Sequence, residues 1–186
     1  TPAVAGTCAL VRQYFINSSL SAPSPAMTKA FLMNSARYMT GTSANDTLPS
    51  NNQGMGGVNL GTAFDGVARV LRDQVGADKF TASGQTRTFA GNVIDNTKPF
   101  RVTLAWTDAP GSTAGAAYNN NLDLTVNVGG TLYQGNVFSG ANSVSGGTAD
   151  LRNNVESVFL PAGVAGTFTI TVTATSINSD GVPNEA

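Results

Sequence analysis

The sequence predicts a mainly β protein, an antiparallel β-sandwich or jelly roll preceded by an N-terminal helix pair. Three observations carry this prediction. The apolar period changes from helical to alternating after Val67, about seven alternating stretches lie between Val67 and Ile177, and Gly- and Asn-rich turns such as VGGT at 128–131 separate them.

From Pro2 to about Asn17 apolar residues lie almost all round at first, with Val4, Cys8, Val11 and Phe15 at helical spacing and polar residues entering at Arg12 and Gln13. That is the pattern of a helix built to be buried. Ser24 before Pro25 reads as an N-cap followed by proline at the first helical position. Met27, Ala30, Phe31 and Asn34 then form the inward stripe of a second helix ending near Arg37. Residues 40–57 are dense in Thr, Asn, Ser and Gly, so they form a long surface loop with Leu48 and Met55 as its apolar anchors. Short helical character returns at Leu60 to Phe64. The boundary between a helical part, residues 1–66, and a β part, residues 67–186, falls near Asp65 to Val70.

In the β part, Phe100, Val102, Leu104 and Trp106 alternate with Arg101, Thr103 and Ala105, and Leu122, Leu124, Val126 and Val128 alternate with Asp123, Thr125 and Asn127. Phe168, Ile170 and Val172 alternate with threonines. Each stretch is a strand with one buried face, which predicts a common core of Phe100, Val102, Leu104, Trp106, Leu122, Leu124, Val126, Phe159, Phe168, Ile170 and Val172. Asp123 then points away from that core.

With 41% hydrophobic and 11% charged residues over 186 positions, the chain can bury a real core and is not disordered. It holds no run of about 18 apolar residues, so no membrane-spanning helix is expected, and TPAVAG lacks the regions of a signal peptide. Ten basic residues against eleven acidic ones form no cluster that could neutralise a phosphate backbone, which excludes nucleic acid as a partner. The absence of histidine removes the commonest general base, the usual zinc ligand and any Ser-His-Asp triad within the chain. Cys8 is the single cysteine, so there is no internal disulfide. Low charge with abundant Asn, Thr, Ser and Gly points to an exported bacterial protein.

The segment TPAVAGTCALV at 1–11 resembles the stretch just after the nucleophile of subtilisin-like serine proteases, whose signature runs GTS, two small or apolar residues, then TPxVAG. QGMGGVNLGTAF at 53–64 is similar to the run that closes many subtilase catalytic domains. LAWTDAP at 104–110, NLDLTV at 121–126 and RNNVESV at 152–158 resemble the C-terminal, P-domain-like β-sandwich of one subtilase group, that of the alkaline oxidant-stable bacterial enzymes. The resemblance implies that residues 1–66 are left over from an α/β catalytic domain. It places the nucleophilic serine three residues upstream of Thr1, together with the rest of the triad, so no catalytic residue is expected in the chain. It also puts a last hydrophobic strand beyond Pro183, so the sequence looks trimmed at both ends.

Residues 102–186 carry one basic residue, Arg152, against six acidic ones. Asp108, Asp123, Asp150 and Glu156, with Asn121, Asn153 and Asn154, are hard oxygen donors of the kind Ca²⁺ requires, although no EF-hand spacing is present. Resemblance to calcium-binding relatives strengthens the expectation of a calcium site led by Asp123 and Asp150, completed by Asp108, Glu156 and Asn154. Asn153 and Asn154 equally suit a turn. Asn121 stands where relatives often have aspartate, which predicts weaker binding.

The leading expectation is the C-terminal part of a secreted subtilisin-like endopeptidase, whose partners are the upstream catalytic domain and, in the parent enzyme, protein substrates. The alternative is a carbohydrate- or protein-binding module with Trp106, Tyr118 and Tyr133 as an aromatic platform, although Trp106 shares the buried face of its strand. An N-terminal threonine nucleophile at Thr1 is a third reading, opposed by Pro2 leading straight into a helix, where Thr1 serves as N-cap.

Overall fold

A computed structural model describes residues 1–115 and 117–182. The strand expected beyond Pro183 lies outside the described residues. The helical part contains α1 (Pro2–Asn17), α2 (Pro25–Asn34) and the one-turn α3 (Leu60–Ala63). Seven strands follow among the described residues: β1 (Thr86–Asn92), β2 (Phe100–Ala105), β3 (Asn121–Val128), β4 (Thr131–Ser139), β5 (Asn142–Ser145), β6 (Val155–Leu160) and β7 (Thr167–Ser176).

All strand pairs are antiparallel. Five strands form a sheet in the order β1-β7-β3-β4-β5, and β2 pairs with β6 in a separate ribbon. The β3–β4 hairpin turns on Gly129 and Gly130, both at positive φ (58° and 79°), where residues bearing a Cβ are strained.

The alternation of β3 buries Leu122, Leu124, Val126 and Val128, leaving Asp123 on the opposite, partly exposed face, so the predicted register holds. These residues join Val158 and Leu160 of β6 and Val172 and Ala174 of β7 in one cluster. Phe100, Val102, Leu104, Trp106, Phe168 and Ile170 pack against it. The two sheets therefore share one core.

Phe159 does not belong to that core. It joins Leu48, Met55 and Phe138, with Met33 and Tyr38 packed alongside, on the far side of β6. Every residue of β6 is buried, because the strand is covered by the five-stranded sheet on one face and by the helical part on the other. Glu156 and Ser157 break the apolar pattern of the strand, which hides this two-sided burial from period-2 reasoning.

The inward stripe of α1 is Thr7, Val11 and Phe15, an i, i+4, i+8 row. Val4 is 47% exposed, Cys8 is half-buried, and Leu10 and Ile16 also face outward, so α1 is covered on one side only. Val11 and Phe15 meet Phe31 of α2 and Ala63 of α3, with Phe15 and Phe31 edge to face at 5.4 Å.

Ser24 caps α2 through its Oγ, which accepts from the Met27 amide at 3.0 Å and donates to Asp73 at 2.7 Å. Ser24→Ala is expected to cost about 1–2 kcal/mol, read as a fall of a few degrees in melting temperature. The helix stops at Asn34, short of the expected Arg37. There Ser35 turns its hydroxyl onto the Leu32 carbonyl, and Arg37 exchanges backbone hydrogen bonds with Gly57. The loop that follows buries its anchors Leu48 and Met55, as expected, along with Gln53, whose carboxamide ties Met39 to Ala44. No helix among the described residues is long and apolar enough to cross a membrane.

Candidate functional site

Each of the five candidate metal ligands sits in its own hydrogen-bond set. Asp108, just after β2, accepts from the amides of Ala109 and Asn120 at Oδ1 and of Asn119 at Oδ2, at 2.8–2.9 Å. It closes the loop leading into β3. Asn120 continues the tie by accepting from the amides of Asn178 and Ser179, which holds the chain after β7.

Asp123, on the outer face of β3, accepts from the Asn121 carboxamide at 2.9 Å and from the Thr175 hydroxyl of β7. Asp150 organises the turn before β6, taking the amides of Arg152 and Asn153 and the carboxamides of Asn153 and Asn136. Burial pushes its carboxyl up, but these four donors outweigh burial and hold it below the ordinary range. Asn153 is thus a turn residue.

Asn154 points to the helical part: its Oδ1 accepts from Lys29 Nζ at 2.6 Å while its Nδ2 donates to the Trp106 carbonyl. Burial lowers the pKa of Lys29. Glu156 is 1% exposed and projects from β6 into the core between the sheets.

Among the described residues no three acidic, histidine or cysteine side chains gather where a metal ion could bind them together, and the carboxylates of Asp108 and Asp150 are already surrounded by amide donors. A dication needs six to eight oxygens converging on one point. Melting temperatures in millimolar calcium and in chelator test the expected site, equal values counting against it. A rise with calcium that Asp123→Ala or Asp150→Ala removes would restore the site expected from sequence.

The structure instead assembles a polar seam where the two sheets meet. The β3–β4 ladder ends at Thr125 and Gln134, and β4 then bends at Gly135 and Asn136, the latter at φ 59°. This leaves the Leu124 amide facing β6, and Glu156 Oε2 accepts from it at 2.7 Å. Asn136 substitutes for a strand neighbour of β6: its Nδ2 donates to the Val155 carbonyl at 2.8 Å and its Oδ1 accepts from the Ser157 amide at 3.0 Å. Ser143 Oγ does the same for the Phe159 amide at 2.9 Å. An isolated Gly inside the strand segment YQGNVF was the available sign of this bend, and the role of Asn136 had no sign at all.

Arg101 forms the second junction. From the outer face of β2 its Nη1 donates to the carbonyls of Asn34 and Ala36 at 2.8 and 2.9 Å, and its guanidinium lies 4.5 Å from the Phe159 ring centre. Burial lowers its pKa. Asn34 Nδ2 also donates to Thr103 Oγ1, so the end of α2 is fastened to the β part at several points.

Of the proposed aromatic platform, Trp106 and Tyr133 pack against the core and Tyr118 is 43% exposed. Thr1 stands at the N-cap position of α1 with no side-chain cap bond, a correction to the hydroxyl cap expected there. Cys8 lines an open apolar groove of about 890 Å³ between α1, α2 and the loop at 55–58, with Arg12 and Lys29 in its wall. Compared with protein-family models and with curated proteins, the sequence matches none of them.

Proposed function

We propose that the chain is the C-terminal part of a secreted subtilisin-like serine endopeptidase. On this reading residues 1–66 are the closing helices of the catalytic domain. Residues 67–186 are a β-sandwich of the P-domain-like, jelly-roll kind that braces those helices and slows their unfolding. The class of enzyme rests on the resemblance of residues 1–11 and 53–64.

The bracing role rests on one observation, the fastening of the end of α2 to β2 and β6 by Arg101, Asn34 and the Lys29–Asn154 bond. The uncovered side of α1 agrees with this reading, since Val4, Leu10 and Ile16 are exposed apolar residues that a further layer of a catalytic domain would cover. In the parent enzyme an upstream serine would attack the peptide carbonyl with an upstream histidine as base.

The 186-residue chain is expected to hydrolyse neither peptides nor esters, since it contains no histidine. Turnover that persists through purification and survives a serine-directed inhibitor would overturn the reading.

A further inference from the structure

We propose that the connection between the helical and β parts is a processing site, cut between Val70 and Leu71 by an endopeptidase that takes an aliphatic side chain before the scissile bond. Residues 67–74 run between α3 and β1 outside any helix or strand. Val67, Arg69, Leu71 and Asp73 are partly buried, whereas Ala68, Val70, Arg72 and Gln74 are exposed, the alternation of an extended chain lying on a surface. Val70 is 89% exposed. Among the described residues, no backbone amide or carbonyl from Ala68 to Gln74 makes a hydrogen bond. Side chains hold the segment instead: Arg69 on Asp65 and the Thr62 carbonyl, Leu71 against the Phe15 and Phe31 cluster, and Asp73 on Ser24.

An endopeptidase takes its substrate as an added extended strand, through the substrate's own N–H and C=O groups, with pockets for alternate side chains. A segment in a helix, ladder or turn must break backbone bonds to enter such a cleft. Residues 68–74 break none, so lifting them is a local and inexpensive opening. Two other exposed aliphatic residues set the contrast. Ile94, 88% exposed, is flanked by the Val93 amide bonded to the Gly166 carbonyl and by a turn that Asp95 closes on the Thr97 amide. Leu151, 58% exposed, sits in the turn that Asp150 closes on the amides of Arg152 and Asn153. Both would have to unravel a turn. The arginines beside Val70 are engaged, Arg69 by Asp65 and Arg72 by Asp78 and the Phe89 ring, which disfavours an enzyme that reads a cation.

Hydrolysis adds one water across the amide: its hydroxyl completes a carboxyl group on Val70, and the Leu71 nitrogen leaves as an amine. The cut does not separate the parts, because Arg101, Asn34 and Lys29 fasten α2 to the β part and the cluster of Leu48, Met55, Phe138 and Phe159 spans the same junction. The product is a two-chain complex. The inference uses this junction and not the identity of the parent enzyme.

Treating the folded 186-residue chain with an elastase that cleaves after valine should give residues 1–70 and 71–186 as the first products, the second beginning at Leu71 on N-terminal sequencing. The two should elute together in native size exclusion and separate in denaturant. Val70→Asp should slow the first cut by at least about tenfold, because the protease pocket would have to bury an unpaired carboxylate. Ile94→Asp should leave its rate unchanged. A first cut elsewhere, a cut at Val70 that comes only with digestion of both parts, or a Val70→Asp chain cleaved as fast as the unaltered one would overturn the site. Fragments that part in native buffer would refute the two-chain product.

Discussion

Gly135→Ala should lower the stability of the folded chain by about 3–5 kcal/mol, a fall in melting temperature of roughly 10 °C. The backbone at Gly135 is not in the left-handed region, so the penalty is steric: the new methyl would sit 2.2 Å from Glu156 Oε2 and 2.9 Å from its Cδ. Glu156 is itself confined between β3 and β6 and cannot swing to solvent without abandoning the Leu124 amide. Overpacking and the loss of that buried hydrogen bond therefore act together. A double-mutant cycle with Glu156→Gly, which removes the Cβ 2.7 Å away as well as the carboxyl, should show the added methyl costing much less in the shortened background. Equal costs of Gly135→Ala in both backgrounds would mean that the two residues do not compete for the same space.

The next largest effect is expected at Arg101. Its guanidinium donates to two carbonyls at the end of α2 and lies over Phe159, so Arg101→Ala removes two charge-assisted hydrogen bonds and a ring contact, about 2–4 kcal/mol in total. The loss should appear as a loss of cooperativity. Trp106, the single tryptophan, reports the β part through its fluorescence, while far-ultraviolet circular dichroism at 222 nm is weighted toward α1 and α2. In the unaltered chain the two melting curves should coincide. In Arg101→Ala the helical signal should melt first. Arg101→Lys should recover only part of the loss, because an ammonium cannot lie flat over Phe159 while reaching both carbonyls. Coincident curves in Arg101→Ala would show that the helical part does not depend on this junction.

The elements legible in the sequence were those whose pattern one physical rule determines. The Ser24–Pro25 start of α2, the Gly129–Gly130 hairpin and the inward Leu122, Leu124 and Val126 of β3 follow from capping, turn sterics and alternation. The errors lie where tertiary context decides. Phe159 faces the helical part because β6 is covered on both sides, and α1 turns Thr7 inward in place of Val4 because α2 and α3 approach from that side. Beyond these, the candidate ligands Asp108, Asp123 and Asp150 follow from donor chemistry, which does not reveal the backbone amides and asparagine side chains that hydrogen-bond them. The seam escaped notice for a related reason. Glu156 was grouped with the candidate calcium donors, and only the parting of β3 from β4 at Gly135 shows why a carboxyl is buried there.

Fluorophosphonate labelling of the protein translated with its upstream reading frame decides whether the helices of residues 1–66 belong to a serine endopeptidase braced by the β part. Covalent labelling of a serine three residues before Thr1 is expected, with faster thermal loss of that labelling when Arg101 is replaced by alanine. A different residue at that position, or a folded extended protein that takes up no label, would contradict it.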